Sequence, residues 1–404
     1  RAGQNIPLKV HPFEPAVAQV FKVVSDPGVG DVFFLRVLTG TLKPGMDLNN
    51  STHPSKERMG HLITFEGKER KEVNEAVAGE VVAVAKLKQA HVGDTLCEAA
   101  RVVQVDPIAL PHPVYAVTLL PKTRKDQDKL GPALGKLHLT DPTLHFEIDP
   151  EFNETLLSGM GEIHLEVAAN RLRDKYGVDL DLGQPHVPYR ETITAKVKAQ
   201  GKYKKQTGGH GQYGDVWIWA EPKPRGSGFE FVDDIKGGVI PGKYIPSVER
   251  GIVDSMKRGQ LAGYPVVDVK VSLFDGSFHS VDSSDLAFQI AGSLAIKKCE
   301  EEGRPILLEP IMKIWVSTPA DYVGALTNDL TSRRGKITGM NQEGEIHELS
   351  AEVPMAEIFK YATDLRSMTH GTGNYRAELD HYEALPAHLT AKVIEETKKL
   401  REKK

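Results

Sequence analysis

A chain of 404 residues is too long for a single hydrophobic core. At roughly 100–200 residues per domain it predicts two to four domains. With 40% hydrophobic and 26% charged residues and no apolar run near the ~18 of a membrane span, the composition is that of a soluble globular protein; a formal net charge of −4 excludes one that is basic throughout, but not a local basic face.

The start, Arg1-Ala2-Gly3-Gln4, has no basic-then-apolar leader and runs quickly into a strand pattern. A cytoplasmic location and a missing N-terminal part are therefore expected. Cys97 and Cys299, the two cysteines, lie far apart and are expected to be reduced thiols.

Along residues 15–105, Ala16 to Val24, Val32 to Leu38 and Val77 to Ala85 are rich in Val and Phe. Asp26-Pro27-Gly28, Lys43-Pro44-Gly45 and Glu66-Gly67 separate them. Short strands between such turns predict a small β-barrel. Pro107, Pro111 and Pro113 mark a boundary that resists helix and sheet alike. The order then becomes strand, helix, strand, strand, helix, strand. Val114 to Leu120 is the first strand, Thr143 to Ile148 and Glu154 to Leu157 form a hairpin, and Val178 to Leu182 closes the unit. The second helix is clear: Leu165, Ala169, Leu172 and Tyr176 recur at helical spacing between Glu162 and a terminating Gly177.

Residues 186–308 are less regular, with helices expected over Tyr244 to Met256 and Ser283 to Cys299. The stretch from Pro305 to Pro310 reads as the next boundary. Beyond it the βαββαβ order recurs: Ile311 to Ser317 as a strand, a helix from Pro319, a hairpin over Ile337 to Val353, a helix opened by Pro354, and a strand carrying Tyr375, Ala377 and Leu379. A terminal helix is expected over Leu389 to Leu400. The fold class is thus multidomain α+β: a β-barrel (1–106), a ferredoxin-like βαββαβ unit (107–185), a mixed α/β domain (186–308), and a second ferredoxin-like βαββαβ unit with a terminal helix (309–404).

Catalytic patterns are missing. No segment has the Gly-x-x-x-x-Gly-Lys-Ser/Thr spacing whose amides cradle nucleotide phosphates, and Gly-x-Ser-x-Gly is absent too. His164 lacks the second histidine of a metalloprotease helix and reads as a packing or surface residue. His138 and His145 have no Cys or carboxylate at ligand spacing, so no metal is assigned. Asp282 and Asp285 are most simply helix-capping residues. Trp217 and Trp219 share one face of a strand and are expected in a core or interdomain contact rather than stacked on bases.

Lys196 to Asp215 stands out. Lys196, Lys198, Lys202, Lys204 and Lys205 crowd ten residues and lead into Gln206-Thr207-Gly208-Gly209-His210-Gly211-Gln212-Tyr213-Gly214-Asp215. A basic approach and a glycine-rich polar tip suit RNA phosphates and bases; a solvated hairpin face is the plainer alternative. Gly237-Gly238-Val239-Ile240-Pro241-Gly242-Lys243-Tyr244 leads into a helix and offers amides of its own, with Lys243 in support.

Thr207 to Gly214 closely resembles the tip loop of domain IV of elongation factor G, as does Asp234-Ile235-Lys236-Gly237-Gly238-Val239-Ile240-Pro241. Leu261 to Asp268 and Val281 to Phe288 resemble the same domain, Ser158 to Glu166 the helix of domain III, and Leu308 to Met312 the opening of domain V. The resemblance covers the whole chain. It implies domains II to V of a factor whose GTPase domain, with its GTP and Mg cofactors, is not in this chain; the chain itself is expected to hold no cofactor and to have no catalytic residue. It also implies the ribosome as partner: rRNA, the small-subunit decoding region, the factor-binding centre, and tRNA-mRNA as they advance. A monomer with no membrane contact is expected. Residues 208–215 would form the ribosome-entering tip, supported by Lys202, Lys204, Lys205, Gly237, Gly238 and Lys243.

Translocating members of that family typically carry His where this chain has Asp215. An exposed anion there would repel phosphate, which implies a paralogue for ribosome recycling or rescue with weak translocase activity as the alternative. On that reading Asp215→His scarcely alters folding and quickens translocation. A non-ribosomal RNA-binding scaffold is the other alternative, although residues 113–183 and 311–382 lack the paired aromatics of an RNA-recognition sheet. The missing phosphate loop predicts that this chain neither binds nor hydrolyses GTP: calorimetric titration with GTP and magnesium is expected to show no stoichiometric micromolar site.

Overall fold

The computed structural model describes residues 7–26, 28–67, 69–205 and 211–402. The chain forms two compact units, residues 1–185 and 186–404.

The first unit opens with an eight-stranded antiparallel sheet. Its order is Ser55–Arg58, Asp47–Asn50, Thr95–Cys97, Val17–Asp26, Gly30–Thr39, Val81–Ala85, Leu62–Glu66 and Glu69–Val73. The two-residue period sets the core. Along Gly30–Thr39, Phe33, Leu35 and Val37 turn inward while Phe34, Arg36 and Leu38 turn outward. Gly40 then reverses the chain with φ +77°, and a side chain there would collide with the Ala16 backbone.

The βαββαβ order follows: Tyr115–Pro121, Arg124–Thr140, His145–Asp149, Glu154–Gly159, Glu162–Tyr176 and Leu180–Gly183. The third strand pairs the first, so the sheet order is second, third, first, fourth. Leu165, Ala168, Ala169 and Leu172 bury one helical face, and Gly177 ends that helix in the left-handed conformation at φ 61°. The earlier helix buries Leu130, Ala133, Leu134 and Leu137 on one face although Gly131 and Pro132 lie in its middle. Its start is nevertheless well marked: the Thr123 side chain accepts the Asp126 amide.

In the second unit, Val197–Lys205, Gln212–Pro222, Val269–Ser277 and Glu230–Asp233 form a four-stranded sheet, the last pair parallel. Helices Ile245–Met256 and Asp285–Glu302 pack on one face through Val248, Ile252, Phe288, Ala291, Ala295 and Ile296. Gly251 and Gly292 bring the helices together: a Cβ on Gly292 would lie 2.6 Å from the Val248 carbonyl oxygen.

The strand expected from Ile311 begins earlier, at Ile306, and runs through Pro310 to Pro319. Pro310 supplies no ladder amide, and a register shift follows it at Ile311/Met312, the irregular setting in which a strand tolerates proline. One end of this strand pairs Arg190–Thr192, and its length pairs Ile346–Pro354 and Asn374–Ala384. Lys336–Glu343 completes the sheet, and helices Val323–Ser332 and Tyr361–Met368 cover it through Leu326, Leu330 and Leu365. Pro354 does not open a helix. It ends a strand; Met355–Glu357 form a 3-10 turn, and the helix starts only at Tyr361. The terminal helix is Ala387–Glu402.

Glu300, in Asp285–Glu302, is 3% exposed, and among the described residues no side-chain donor reaches either carboxylate oxygen. Burial, and then the Glu191 carboxylate, push its pKa up to about 8, only partly opposed by Lys297 and the Gln260 backbone. The folded protein therefore holds a proton that the unfolded chain releases near its ordinary 4.5. The stabilisation is complete below about pH 4.5 and is lost as pH rises toward 8. Glu300→Gln is expected to raise the melting temperature at pH 8 and leave it nearly unchanged at pH 4.5, measured by calorimetry across that range.

Candidate nucleic-acid interface

The basic segment forms an antiparallel hairpin. Lys205 pairs Gln212, Lys204 pairs Tyr213, Lys202 pairs Asp215 and Gln200 pairs Trp217. Gln206, Thr207, Gly208, Gly209 and His210 lie outside the described residues. Alternation divides the hairpin into two faces. Ala199, Gly201, Val216, Ile218 and Ala220 face the helices. Lys198, Lys202 and Lys204 share the other face with Tyr213, Asp215, Trp217 and Trp219.

Of the two settings expected for the tryptophans, core or interdomain contact, the core is not the one they take. They lie half-buried on the outer face, beneath lysine stems. Lys196 Nζ is 4.8 Å from the Trp219 ring centre, and Lys198 Nζ is 5.7 Å from it. Lys202 Nζ lies 5.8 Å from the Tyr213 ring. Such contacts are worth about 0.5–1 kcal/mol at exposed sites and hold the ammonium groups over an aromatic strip. Lys196 also pairs with Glu221 at 2.6 Å, whereas Lys202, Lys204 and Lys205 form no ion pair among the described residues.

Asp215 is not an exposed loop anion. It lies inside the Gln212–Pro222 strand at 7% exposure. Gln200 Nε2 donates to Oδ1 at 2.7 Å and Ser277 Oγ donates to Oδ2 at 2.8 Å. The Tyr213 hydroxyl lies 2.7 Å from Ser277 Oγ and 3.5 Å from Asp215 Oδ2. The carboxylate thus ties three strands together. Gly214 also has a packing role: a Cβ would lie 2.5 Å from the Ala287 carbonyl oxygen.

The described end of the tip is held by a segment that the sequence marks only as a cap. The Gly211 amide donates to Asp282 Oδ1 at 2.9 Å, and the Tyr213 amide to the Asp282 carbonyl at 2.8 Å. Ser283 Oγ donates to the Tyr213 carbonyl at 3.0 Å. The helix cap is Ser284, whose side chain accepts the Ala287 amide, so Asp282 is a tip anchor instead. Sequence reasoning missed the neighbours Phe278 and Val281, 46% and 61% exposed, because two isolated apolar residues in a loop give no period.

Gly237 and Gly238 form a turn with φ 68° and 70°. Beyond it Gly242–Tyr244 is a 3-10 turn running directly into Ile245–Met256. Its amides are less available for phosphate than expected: Tyr244 N–H donates to the Pro241 carbonyl, and Ile245 N–H to Gly242. Lys243 Nζ sits 4.7 Å from the Tyr244 ring, which stacks on Phe288, while the Tyr244 hydroxyl donates to the Ser283 carbonyl. This segment therefore braces the tip anchor.

His164 is a packing residue: Nδ1 accepts the Met160 amide and Nε2 lies 3.0 Å from Asp141. Asp141, drawn down chiefly by its hydrogen bonds to Thr143 and His164 against an opposing burial penalty, stays a better anion than usual. Among the described residues no helix is long and apolar enough to cross a membrane.

Comparison with known proteins gives four consecutive family matches: elongation factor G domain 2 over residues 15–99, elongation factor G domain III over 110–184, elongation factor G domain IV over 185–304, and the elongation factor G C-terminus over 306–393. No match to a GTPase domain accompanies them. Elongation factor G of Aquifex pyrophilus is 49% identical over 384 residues, which are 95% of this chain and 55% of that protein. A crystal structure of a Thermus thermophilus protein superposes with a TM-score of 0.84 at 46% identity, covering 96% of this chain and 58% of the other. The chain thus spans little more than half the length of the relatives it matches.

An exposed Asp215 would tolerate substitution within about 0.5 kcal/mol. Buried and bonded, it should not. Asp215→Ala strands the Gln200 and Ser277 donors and is expected to cost about 1–3 kcal/mol in urea unfolding; Asp215→His is expected to melt below the parent chain as well.

Proposed function

Because this chain belongs to the elongation factor G family, we propose that it is the ribosome-binding part of a translational GTPase that promotes tRNA-mRNA translocation. On this reading the hairpin of residues 197–222 enters the decoding region, and the remaining domains engage the small subunit and the factor-binding centre. GTP and Mg belong to the GTPase domain of the parent protein; this chain supplies binding surface and no catalytic group.

The observation that carries the reading is the outer face and tip end of the hairpin. Lys202, Lys204 and Lys205, with no ion pair among the described residues, stand at the tip end. Two tryptophans and a tyrosine line the face that Lys202 and Lys204 share. Cations neutralise phosphates, and aromatic rings accept stacked bases whatever their sequence. That combination suits a partner whose backbone is constant and whose bases change at every step. Residues 208–213 and the Lys202, Lys204, Lys205 group form the proposed contact; Gly214 and Asp215, buried beneath it, support it, with Gly237, Gly238 and Lys243 as a further brace.

The recycling or rescue alternative drew on Asp215 as an anion facing RNA. Here that carboxylate lies buried in a strand and is bonded by Gln200 and Ser277, so it is not the exposed loop anion from which that reading started.

Replacing Lys202, Lys204 and Lys205 by Ala removes up to three phosphate contacts. Ribosome binding by the variant chain is expected to weaken, with the salt slope falling by about 0.7–0.9 for each phosphate no longer neutralised. Unchanged affinity and slope, measured by filter binding across a salt series, would show the lysines to be a solvated face.

A further inference from the structure

We propose that two turns at one edge of the first unit's large sheet form a binding site for a divalent transition metal of the zinc class, with His53, His91 and Asp94 as ligands. One ligand atom from each of the three lies within 4.8 Å of the other two. His53 Nδ1 is 2.8 Å from Asp94 Oδ1, and His91 Nδ1 is 3.8 Å from Oδ2. The two imidazole rings stand 5.3 Å apart, edge to face.

The site is built rather than scattered. Asp94 is 1% exposed, and its Oδ2 accepts Asn50 Nδ2 at 2.7 Å and the His91 amide at 2.8 Å. Those bonds fix the carboxylate and leave Oδ1 directed at His53. Asn50, itself buried, also accepts the amides of Thr52 and His53 through Oδ1. One side chain therefore sets both the carboxylate and the turn that carries the first histidine. Outer hydrogen bonds of this kind orient ligands in known metal sites.

A tetrahedral zinc ion with bonds of about 2.0–2.1 Å needs ligand atoms about 3.3 Å apart. The rigid carboxylate cannot move far, but both histidine side chains are at least half exposed and free to swing inward. The ion would take the place of the proton between His53 and Asp94, with water as fourth ligand. Two imidazoles and a carboxylate favour zinc, nickel or copper over magnesium or calcium. Bound there, the ion would cross-link the turn at residues 50–53 to that at 91–94.

The test is calorimetric titration of the full chain with zinc chloride at pH 7.5, beside the variants His53→Gln, His91→Gln and, as control, the exposed His61→Gln. One micromolar or tighter site is expected, weakened at least about tenfold in each of the first two variants and unchanged in the control. Zinc should also raise the melting temperature of the parent chain but not of His91→Gln, by preferential binding to the folded state. Magnesium should give neither effect. No micromolar binding, or equal binding in all four proteins, would overturn the proposal; so would an equal loss in the His61 variant, since the chain has 15 histidines able to bind zinc weakly.

Discussion

The close approach of helix Asp285–Glu302 to its sheet is the constraint on which the candidate interface depends. Gly201 and Gly214 sit on the two adjoining strands of the hairpin, each under the helix backbone. A methyl group at Gly214 would meet the Ala287 carbonyl, and one at Gly201 would meet Ala291 and Ala295. Overpacking of this kind costs about 1–3 kcal/mol. With no side chain in the way, the helix lies low on the strands, and the segment before it reaches the tip. Asp282 can then bind the Gly211 and Tyr213 amides. Two missing side chains thereby fix where the loop of the hairpin begins.

Buried carboxylates hold the remainder of the second unit. Glu191 Oε1 accepts the amides of Ala262, Gly263 and Tyr264, and Oε2 that of Leu261. Four amide bonds to one carboxylate hold this loop in place. Since Glu191 pairs with Leu307 in the long strand, the loop is tied to the sheet beyond it. Arg334 grips Glu309 through both guanidinium nitrogens at 2.7 and 2.9 Å. Glu300 has no such partner and responds by holding its proton.

Strand parity separates the core face of the hairpin from its outer face. Odd positions from Val197 to Tyr203 support the helix, and even positions carry lysines outward. Opposite them, the even positions from Gly214 to Ala220 are core and the odd positions bear Tyr213, Trp217 and Trp219. The outer face adds its own tie, the Gln200–Asp215–Ser277 hydrogen bonds, beside the aromatic rings.

The element order, the second helix of the first unit and the two βαββαβ patterns were legible because local period and turn residues dictate them. Leu165, Ala169 and Leu172 need no distant neighbour to mark a helix face. The lysine-rich hairpin was legible for the same reason, as a run of charge ending in glycines. What failed were inferences about surroundings. The strand reads as starting at Ile311, after Pro310, yet the pairing of Ile306–Pro319 with Asn374–Ala384 carries it through that proline. Asp215 reads as a loop anion, yet Gln200 and Ser277, 15 and 62 positions away, bury and bind it. The grouping of His53 with Asp94 spans 41 positions and has no signature. The sequence by itself determined which residues could turn, alternate or coil, since those depend on near neighbours. Only the tertiary structure decided which charges meet partners, because desolvation and hydrogen bonding depend on residues that the fold, not the chain order, brings together.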